Sequence, residues 1–267
     1  MARVLSGAVL AAGFFTLIWF SSATVLFFVA ALVAALAFHE YAALMRQLDA
    51  HLPRLPTLLA TLAAVAVVPF PYVAGEAVIG AGLLIIAVTV MVKVDGERDG
   101  FRRGVSAVAA GALSIIYIGL PLGALVGVHI FGGRGAVMLL VAAIAISDTA
   151  QFYAGRTFGR HPLAPRLSPK KTIEGAIGGF LVVPIFLYYA GPYLVPVGTP
   201  LMMAAFGPVL VASGIAGDLF ESMLKRAADM KDSSALIPGH GGVLDRIDAL
   251  LFATPLFYMF LRWLYTA

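Results

Sequence analysis

Long apolar runs separated by short polar segments dominate the chain. Each run approaches the length of about 20 residues that an α-helix needs to cross a bilayer. Nine such runs predict spanning helices at residues 4–20, 25–45, 56–73, 77–92, 105–130, 135–158, 173–189, 201–225 and 244–265. The pattern therefore predicts an all-α, polytopic integral membrane protein with about nine transmembrane helices.

The first apolar run, residues 4–20, also has the form of a secretory signal peptide, because Arg3 precedes it. A second apolar run begins after only residues 21–24, which suits a tight helical hairpin better than a cleavage site. We therefore interpret the first run as a spanning helix.

Composition and charge support placement in a membrane. Charged residues make up 12% of the chain and apolar residues 61%, whereas about a quarter of a soluble domain is charged. The absence of cysteine excludes disulfides, thiolate metal sites and cysteine nucleophiles. The net charge of +4 does not indicate a nucleic-acid partner, because the position of the charges matters more than their sum.

The basic residues predict the orientation of the chain. With nine helices and a cytoplasmic N-terminus, 16 of the 18 Lys and Arg residues fall on the cytoplasmic side, and only Arg134 and Arg262 fall outside. We therefore predict a cytoplasmic N-terminus and an external C-terminus. Residues 1–104 are predicted to form a scaffold of four helices, and residues 105–267 to carry the site on helices five to nine.

Two carboxylates are predicted to lie inside the membrane. Asp148 precedes Arg156 by eight residues, so it lies about 12 Å inside the helix end, and Asp218 lies about 10 Å before Lys225. Ser222 and Lys225 share the helix face of Asp218, four and seven positions later. Because a charge at this depth is costly, we expect these groups to face a wet cavity.

Asp245 and Asp248 begin the ninth predicted helix and complete a set of four carboxylates on three helices. Such an oxygen-rich set suits Mg²⁺ or another hard cation. In the alternative interpretation, the carboxylates only form ion pairs with basic residues of the same segment, namely Lys225, Arg226 and Arg246. Pairing alone does not explain why so many costly groups lie at one depth, so we favour the metal site.

Lys170 and Lys171 are candidates for binding an anion. They precede the seventh predicted helix, which Ser168 or Thr172 is placed to cap, so they lie beside the positive end of a helix dipole. The alternative is that these lysines serve only topology and lipid contact.

His39 and Glu40 match the start of a metalloprotease motif, but Ala43 replaces the second His. We interpret that pair as a polar helix end near the interface.

Metal-binding carboxylates beside basic side chains are what phosphoryl or nucleotidyl transfer requires. The residues alone therefore predict metal-dependent phosphate chemistry at a cytosolic membrane face. The segment 222–248 further resembles the signature of the phosphatidate cytidylyltransferases (CDP-diacylglycerol synthases). The resemblance rests on matching residues and spacing at Ser222, Lys225, Arg226, Lys231, Asp232, Pro238, His240, Gly241, Gly242, Asp245, Arg246 and Asp248, and on the earlier stretches Ser147-Asp148-Thr149, Gly155-Arg156 and 168–179.

This resemblance implies that phosphatidic acid attacks the α-phosphorus of CTP, giving CDP-diacylglycerol and pyrophosphate. It also implies a homodimer in the inner membrane that requires Mg²⁺, with K⁺ held beside it. Asp218 and Asp245 would be the main metal ligands and Asp148 and Asp248 secondary ones, with Lys225 and Arg226 joining Asp218 and Asp245 in catalysis. The substrate phosphates would be bound by Lys170, Lys171, Ser222, Lys225, Arg226, Lys231 and Arg246, while His240 would contact phosphate or hold the glycine turn.

Two other functions are compatible with the residues. A CTP-dependent polyprenol kinase has a similar membrane architecture, and the position of the label transferred from CTP would distinguish it. A transporter would use Asp148 and Asp218 to relay ions, but it predicts charges toward both faces, whereas here they cluster on one.

Overall fold

The structure, a computed structural model, describes residues 19–20, 22–70, 72–94, 96–234 and 241–266. It is 81% helical, which confirms the all-α class. The helices are α1 (Ala23–Gln47), α2 (Arg54–Val67), α3 (Gly75–Lys93), α4 (Arg98–Ser114), α5 (Leu120–Phe158), α6 (Ile173–Leu194), α7 (Pro200–Ala227) and α8 (Leu244–Thr266). A π-helical turn, Ile115–Gly119, joins α4 to α5, and two short strands, β1 (Pro162–Ala164) and β2 (Ser168–Thr172), precede α6.

Six helical segments among the described residues are long and apolar enough to cross a membrane. The chain is therefore a multi-pass membrane protein, but the predicted count of nine is not confirmed. The first predicted helix falls almost entirely outside the described residues, and α2 has only 14 residues. The cytoplasmic location of the N-terminus stays a prediction.

The fifth and sixth predicted helices are two helices that meet at Gly133, where the backbone is not helical. The stretch Arg98–Phe158, 61 residues long, therefore contains the π turn and a break between two helices within α5. Gly133 has a φ of 69°, a conformation that glycine adopts without a steric penalty. The polar Gly-Gly-Arg-Gly sequence at residues 132–135 therefore marks the boundary between the fifth and sixth predicted helices, as predicted.

The chain divides into two compact units. Unit 1 contains Val128–Ser222 together with the described residues of Met1–Leu26 and Asp248–Ala267. Unit 2 contains Phe27–Gly127 and Met223–Ile247. Each unit thus joins segments that are distant in sequence, and helices α1, α5, α7 and α8 contribute residues to both. The predicted division into a scaffold of residues 1–104 and a catalytic part of residues 105–267 stays a prediction.

Small residues allow the helices of unit 2 to pack closely. Ala60 and Ala64 of α2 pack with Ile86 of α3 and Ile115 of the π turn in a buried cluster. A Cβ atom at Gly119 would lie only 2.5 Å from the backbone carbonyl oxygen of Thr61, so the approach requires glycine. Such close contacts are the usual source of packing energy between membrane helices, where a solvent-driven hydrophobic effect is absent.

In unit 1, a β-hairpin that the sequence did not predict connects α5 to α6. The antiparallel strands β1 and β2 pair Pro162 with Thr172, and β2 leads directly into α6. Glu174, in the first turn of α6, accepts a hydrogen bond from the backbone amide of Arg160 at 3.0 Å and contacts the His161 Nδ1 atom at 2.6 Å. These contacts fix the base of the hairpin to the start of α6.

Candidate active site

A cavity of about 430 Å³ lies within unit 1. Its lining residues come from α5, β2, α6 and α7, and they are Asp148, Gln151, Phe152, Gly155, Arg156, Ser168, Lys170, Lys171, Thr172, Gly175, Ala176 and Asp218. Four of the residues predicted as site residues, Asp148, Lys170, Lys171 and Asp218, are thereby brought to one cavity. The structure thus joins the predicted metal ligands of α5 and α7 to the predicted phosphate-binding lysines.

Close packing of α5 against α6 forms one wall of this cavity. A Cβ atom at Gly175 would lie 2.8 Å from the backbone oxygen of Gln151, and one at Gly178 would lie 2.5 Å from the Cβ of Ala154. Thr172 caps α6, since its Oγ1 atom accepts a hydrogen bond from the Gly175 amide at 3.1 Å. The predicted cap is therefore confirmed at Thr172, and it fixes the residue that directly follows Lys171.

Asp218 forms an ion pair with Lys171 across the cavity. The Nζ atom of Lys171 lies 2.6 Å from Oδ2 of Asp218, and the Ser222 hydroxyl donates to Oδ1 at 3.4 Å. The side chains of Lys171 and Asp218 remain 21% and 34% exposed. Asp218 is therefore neutralised by a cation and remains accessible from the cavity.

Asp148 faces the same cavity from α5 and is exposed there. Lys171 and Asp218 are charged side chains that act electrostatically on its carboxylate. One turn along α5, the Gln151 Nε2 atom donates to the Ser147 hydroxyl at 2.9 Å. The cavity thus contains two carboxylates at its wall, with Lys171 acting on both.

Asp245 lies in unit 2 and has a different environment. Its Oδ1 atom lies 2.6 Å from the Nζ atom of Lys225. Its Oδ2 atom accepts hydrogen bonds from the Ser233 amide at 2.9 Å, the Ser233 hydroxyl at 2.8 Å and the Gly242 amide at 2.8 Å. The side chain is only 8% exposed. Asp245 and Lys225 thus form an ion pair within a buried hydrogen-bond network, and the role of Asp245 as a metal ligand stays a prediction.

The remaining predicted residues lie outside the cavity lining. Arg226, Lys231 and Arg246 are exposed in unit 2, and the Asp248 Oδ1 atom accepts from the amide of Ala249 at 2.7 Å. His240 lies outside the described residues. Because Asp218 belongs to unit 1 and Asp245 to unit 2, their convergence on one metal ion stays a prediction.

Glu40 was missed as a site residue by the sequence analysis, which assigned it to a polar helix end. In the structure it is 3% exposed and accepts four hydrogen bonds from the segment around Asp245. A usable signal was present, because Glu40 lies about 10 Å from the end of α1 at Gln47. A carboxylate at that depth indicates a functional or organising role in the same way as Asp148 and Asp218.

The donor atoms at the cavity are compatible with Mg²⁺. Among the described residues, no three His, Cys, Asp or Glu side chains form a metal-binding group. Mg²⁺ at a nucleotide site is usually held by one or two carboxylates and by substrate phosphates, rather than by a cage of protein ligands. Asp148 and Asp218, with Ser168 and Gln151 nearby, provide such an oxygen-rich set.

Sequence comparisons identify related proteins. A family model described as "Cytidylyltransferase family" matches residues 1–264. A phosphatidate cytidylyltransferase of Bacillus subtilis is 33% identical over 195 residues, which are 70% of this chain and 67% of that protein. A phosphatidate cytidylyltransferase of Aquifex aeolicus is 39% identical over 123 residues, 46% of each chain.

A protein of Escherichia coli K12 named "Uncharacterized protein YnbB" is 39% identical over 186 residues, 68% of this chain and 61% of that protein. The alignments with the Aquifex and Escherichia proteins thus span only about half to three fifths of the length of those relatives. The family match, in contrast, extends over nearly the whole sequence. This chain belongs to the cytidylyltransferase family.

Proposed function

We propose that this protein transfers CMP from CTP to phosphatidic acid. A phosphate oxygen of the lipid attacks the α-phosphorus of CTP and forms a new P–O bond, while the bond from that phosphorus to the bridging oxygen of the β-phosphate breaks. The products are CDP-diacylglycerol and pyrophosphate. The observation that carries the proposal is the cavity at which Asp148, Asp218, Lys170 and Lys171 meet, in a chain whose relatives include named phosphatidate cytidylyltransferases.

The chain's own residues are suited to binding and aligning phosphates. Lys170, Lys171 and Arg156 line the cavity and would neutralise the triphosphate of CTP. No side-chain nucleophile is required, because the phosphate monoester of the lipid is itself anionic and nucleophilic. Alignment of two substrates and neutralisation of their charge are therefore the contributions expected from the protein.

Mg²⁺ is part of the proposal. Asp148 and Asp218 would hold it in the cavity, and Asp245 and Asp248 are further carboxylates assigned to it, with K⁺ nearby. When bound, the divalent ion neutralises charge on the phosphates and polarises the phosphorus–oxygen bonds. We also propose a homodimer in the inner membrane, with the site open to the cytoplasm, where CTP is present.

Labelled CTP tests the reaction directly. The purified full-length protein is incubated in phospholipid vesicles with Mg²⁺, phosphatidic acid, and CTP labelled at the α- or γ-phosphate. Label from the α-position should enter lipid and label from the γ-position should appear in pyrophosphate. Chelation of the metal with EDTA should stop transfer, and added Mg²⁺ should restore it.

Three results would contradict the proposal. Transfer of the γ-label to lipid would identify a CTP-dependent lipid kinase. Solute flux across vesicles without consumption of CTP would indicate a transporter that uses its intramembrane carboxylates. Transfer of CMP at the full rate in EDTA would contradict the proposed requirement for Mg²⁺, although not the cytidylyl transfer itself.

A further inference from the structure

Glu40 is buried in the middle of α1 and is hydrogen bonded to a segment about 200 positions later in the sequence. Each carboxylate oxygen accepts one hydroxyl and one backbone amide. Oε1 contacts the Ser234 hydroxyl at 2.6 Å and the Val243 amide at 2.9 Å. Oε2 contacts the Ser233 hydroxyl at 3.0 Å and the Leu244 amide at 2.8 Å.

These contacts place a negative charge at the N-terminus of α8. The first amides of a helix have no partner within the helix, and they favour an anion there. The usual cap is a short side chain close in sequence, whereas here a carboxylate from α1 provides it. Glu40 therefore connects the first helix of unit 2 to the start of α8, which carries Asp245.

The same hydroxyl connects Glu40 to Asp245. The Ser233 Oγ atom lies 3.0 Å from Oε2 of Glu40 and 2.8 Å from Oδ2 of Asp245, so its single proton is shared between the two carboxylates. A side chain at Gly242 would collide with both Ser233 Oγ and Glu40 Oε2, so the turn before α8 is packed directly against this hydroxyl. Movement of Glu40 would therefore displace the groups that hold Asp245.

Asp245 in turn fixes Lys225 through their 2.6 Å ion pair. Glu40 and Asp245 also hold the residues on either side of residues 235–240. Ser233 and Ser234 precede this segment and bind Glu40, while Gly242 and Val243 follow it and bind Asp245 and Glu40, respectively.

From these contacts we infer that Glu40 is a positioning residue, which holds Asp245 and Lys225 in the geometry required for cytidylyl transfer. The inference rests on the proposed function. It adds a residue of the first described helix, far from the sequence signature at residues 222–248, to the set on which turnover depends. Glu40 acts through Ser233 and the α8 N-terminus and does not itself contact substrate.

The substitution Glu40→Gln tests the inference because it preserves shape and removes the charge. In this variant an NH₂ group replaces one of the two carboxylate oxygens and faces the backbone N–H that this oxygen accepted from. Two N–H donors cannot form a hydrogen bond with each other, and a backbone N–H, unlike a hydroxyl, cannot turn to accept one. We expect kcat per folded enzyme to fall by about 100-fold, as for a displaced catalytic group. The KM for CTP should change less than kcat, because the lysines that line the unit 1 cavity are unchanged.

Two further variants separate positioning from general loss of stability. Ser233→Ala removes the hydroxyl shared by the two carboxylates but leaves the Ser233 amide that donates to Asp245, so a smaller fall in kcat is expected. His39→Gln changes the exposed neighbour on α1 and should behave as wild type. Each preparation is purified as a monodisperse species, and its folded fraction is measured before turnover.

Hydrogen–deuterium exchange provides a readout without turnover. In Glu40→Gln, the amides of Val243 and Leu244 should exchange faster than in wild type, while those of α6 should be unchanged. Wild-type exchange at Val243 and Leu244 would overturn the inference. So would a Glu40→Gln enzyme with a lower Tm but normal kcat per folded molecule, which would make Glu40 a stabilising residue only. Absence of CMP transfer by the wild type would instead overturn the proposed function, and the exchange data alone would then decide whether Glu40 holds α8.

Discussion

Two lysine–carboxylate pairs among the described residues have the same length but different surroundings. Lys171–Asp218 in unit 1 and Lys225–Asp245 in unit 2 both have N–O distances of 2.6 Å. Asp218 is 34% exposed at a cavity, whereas Asp245 is 8% exposed and accepts three more hydrogen bonds. The first pair is accessible to a ligand from the cavity, while the second lies within a buried hydrogen-bond network. Distance alone therefore does not distinguish a binding group from an organising group.

The largest expected effect comes from replacing the two aspartates. Asp218→Asn should lower kcat by about 10³-fold or more, since it removes a charge that faces the substrate, and should leave Tm nearly unchanged. Asp245→Asn should also lower kcat strongly, but with a lower Tm, because its amide group would face donors in a buried network. Steady-state kinetics and thermal unfolding measure the difference.

Near-normal turnover in both aspartate variants would refute their assignment to the metal site. Equal loss of Tm in both would remove the distinction between an open pair and a built-in pair. Asp99→Asn, an acidic residue in the first turn of α4, is a suitable control and should leave both quantities unchanged.

Replacement of the lysines should produce the next largest effect. Lys171→Met should raise the KM for CTP and lower kcat/KM by about 10- to 100-fold, because a charge-assisted phosphate contact is lost. Lys225→Met leaves Asp245 buried without its cation, which is expected to cost about 3 kcal/mol of stability. A large fall in Tm for Lys171→Met, with unchanged KM, would reverse the assigned roles.

A smaller effect is expected from Thr172→Ala. Loss of this helix cap should cost about 1 kcal/mol and allow Lys171 to shift, raising the KM for CTP a few-fold. Thr199→Ala is the matched control, since Thr199 Oγ1 also accepts from an amide, that of Met202 at 3.3 Å, at the start of α7. An equal change of KM in both variants would show that the cap at α6 has no specific connection to the site.

The smallest effect is expected for a third ion pair, Arg103–Asp49. Its Nε–Oδ2 distance is 2.9 Å, but both side chains are about 60% exposed. Exposed pairs contribute less than about 1 kcal/mol, so Arg103→Gln should leave Tm and turnover nearly unchanged. A large loss of stability, measured by thermal unfolding at low and high salt, would show that exposure does not control the strength of these pairs.

Much of the candidate site was predictable because intramembrane charge is expensive. Asp148 and Asp218 stood out against apolar helices, and Lys170 and Lys171 stood out beside a predicted helix start. In the structure these four residues line one cavity, and their roles in the reaction stay predictions. The sequence analysis assigned no role to Glu40, because His39 and Glu40 lack the second histidine of a metalloprotease motif. It did not consider how far Glu40 lies from the end of α1.

The sequence alone determined the class of this protein, since long apolar runs can satisfy their backbone groups in a bilayer only as helices. It also indicated that Asp148 and Asp218 have a functional role, because a charged side chain inside a membrane costs too much free energy to be placed there without one. Only the tertiary structure decided which of them meet, that Lys171 pairs with Asp218, and that Glu40 holds the start of α8. Such contacts join residues from different helices, and helical periodicity carries no information about which faces of distant helices are brought together.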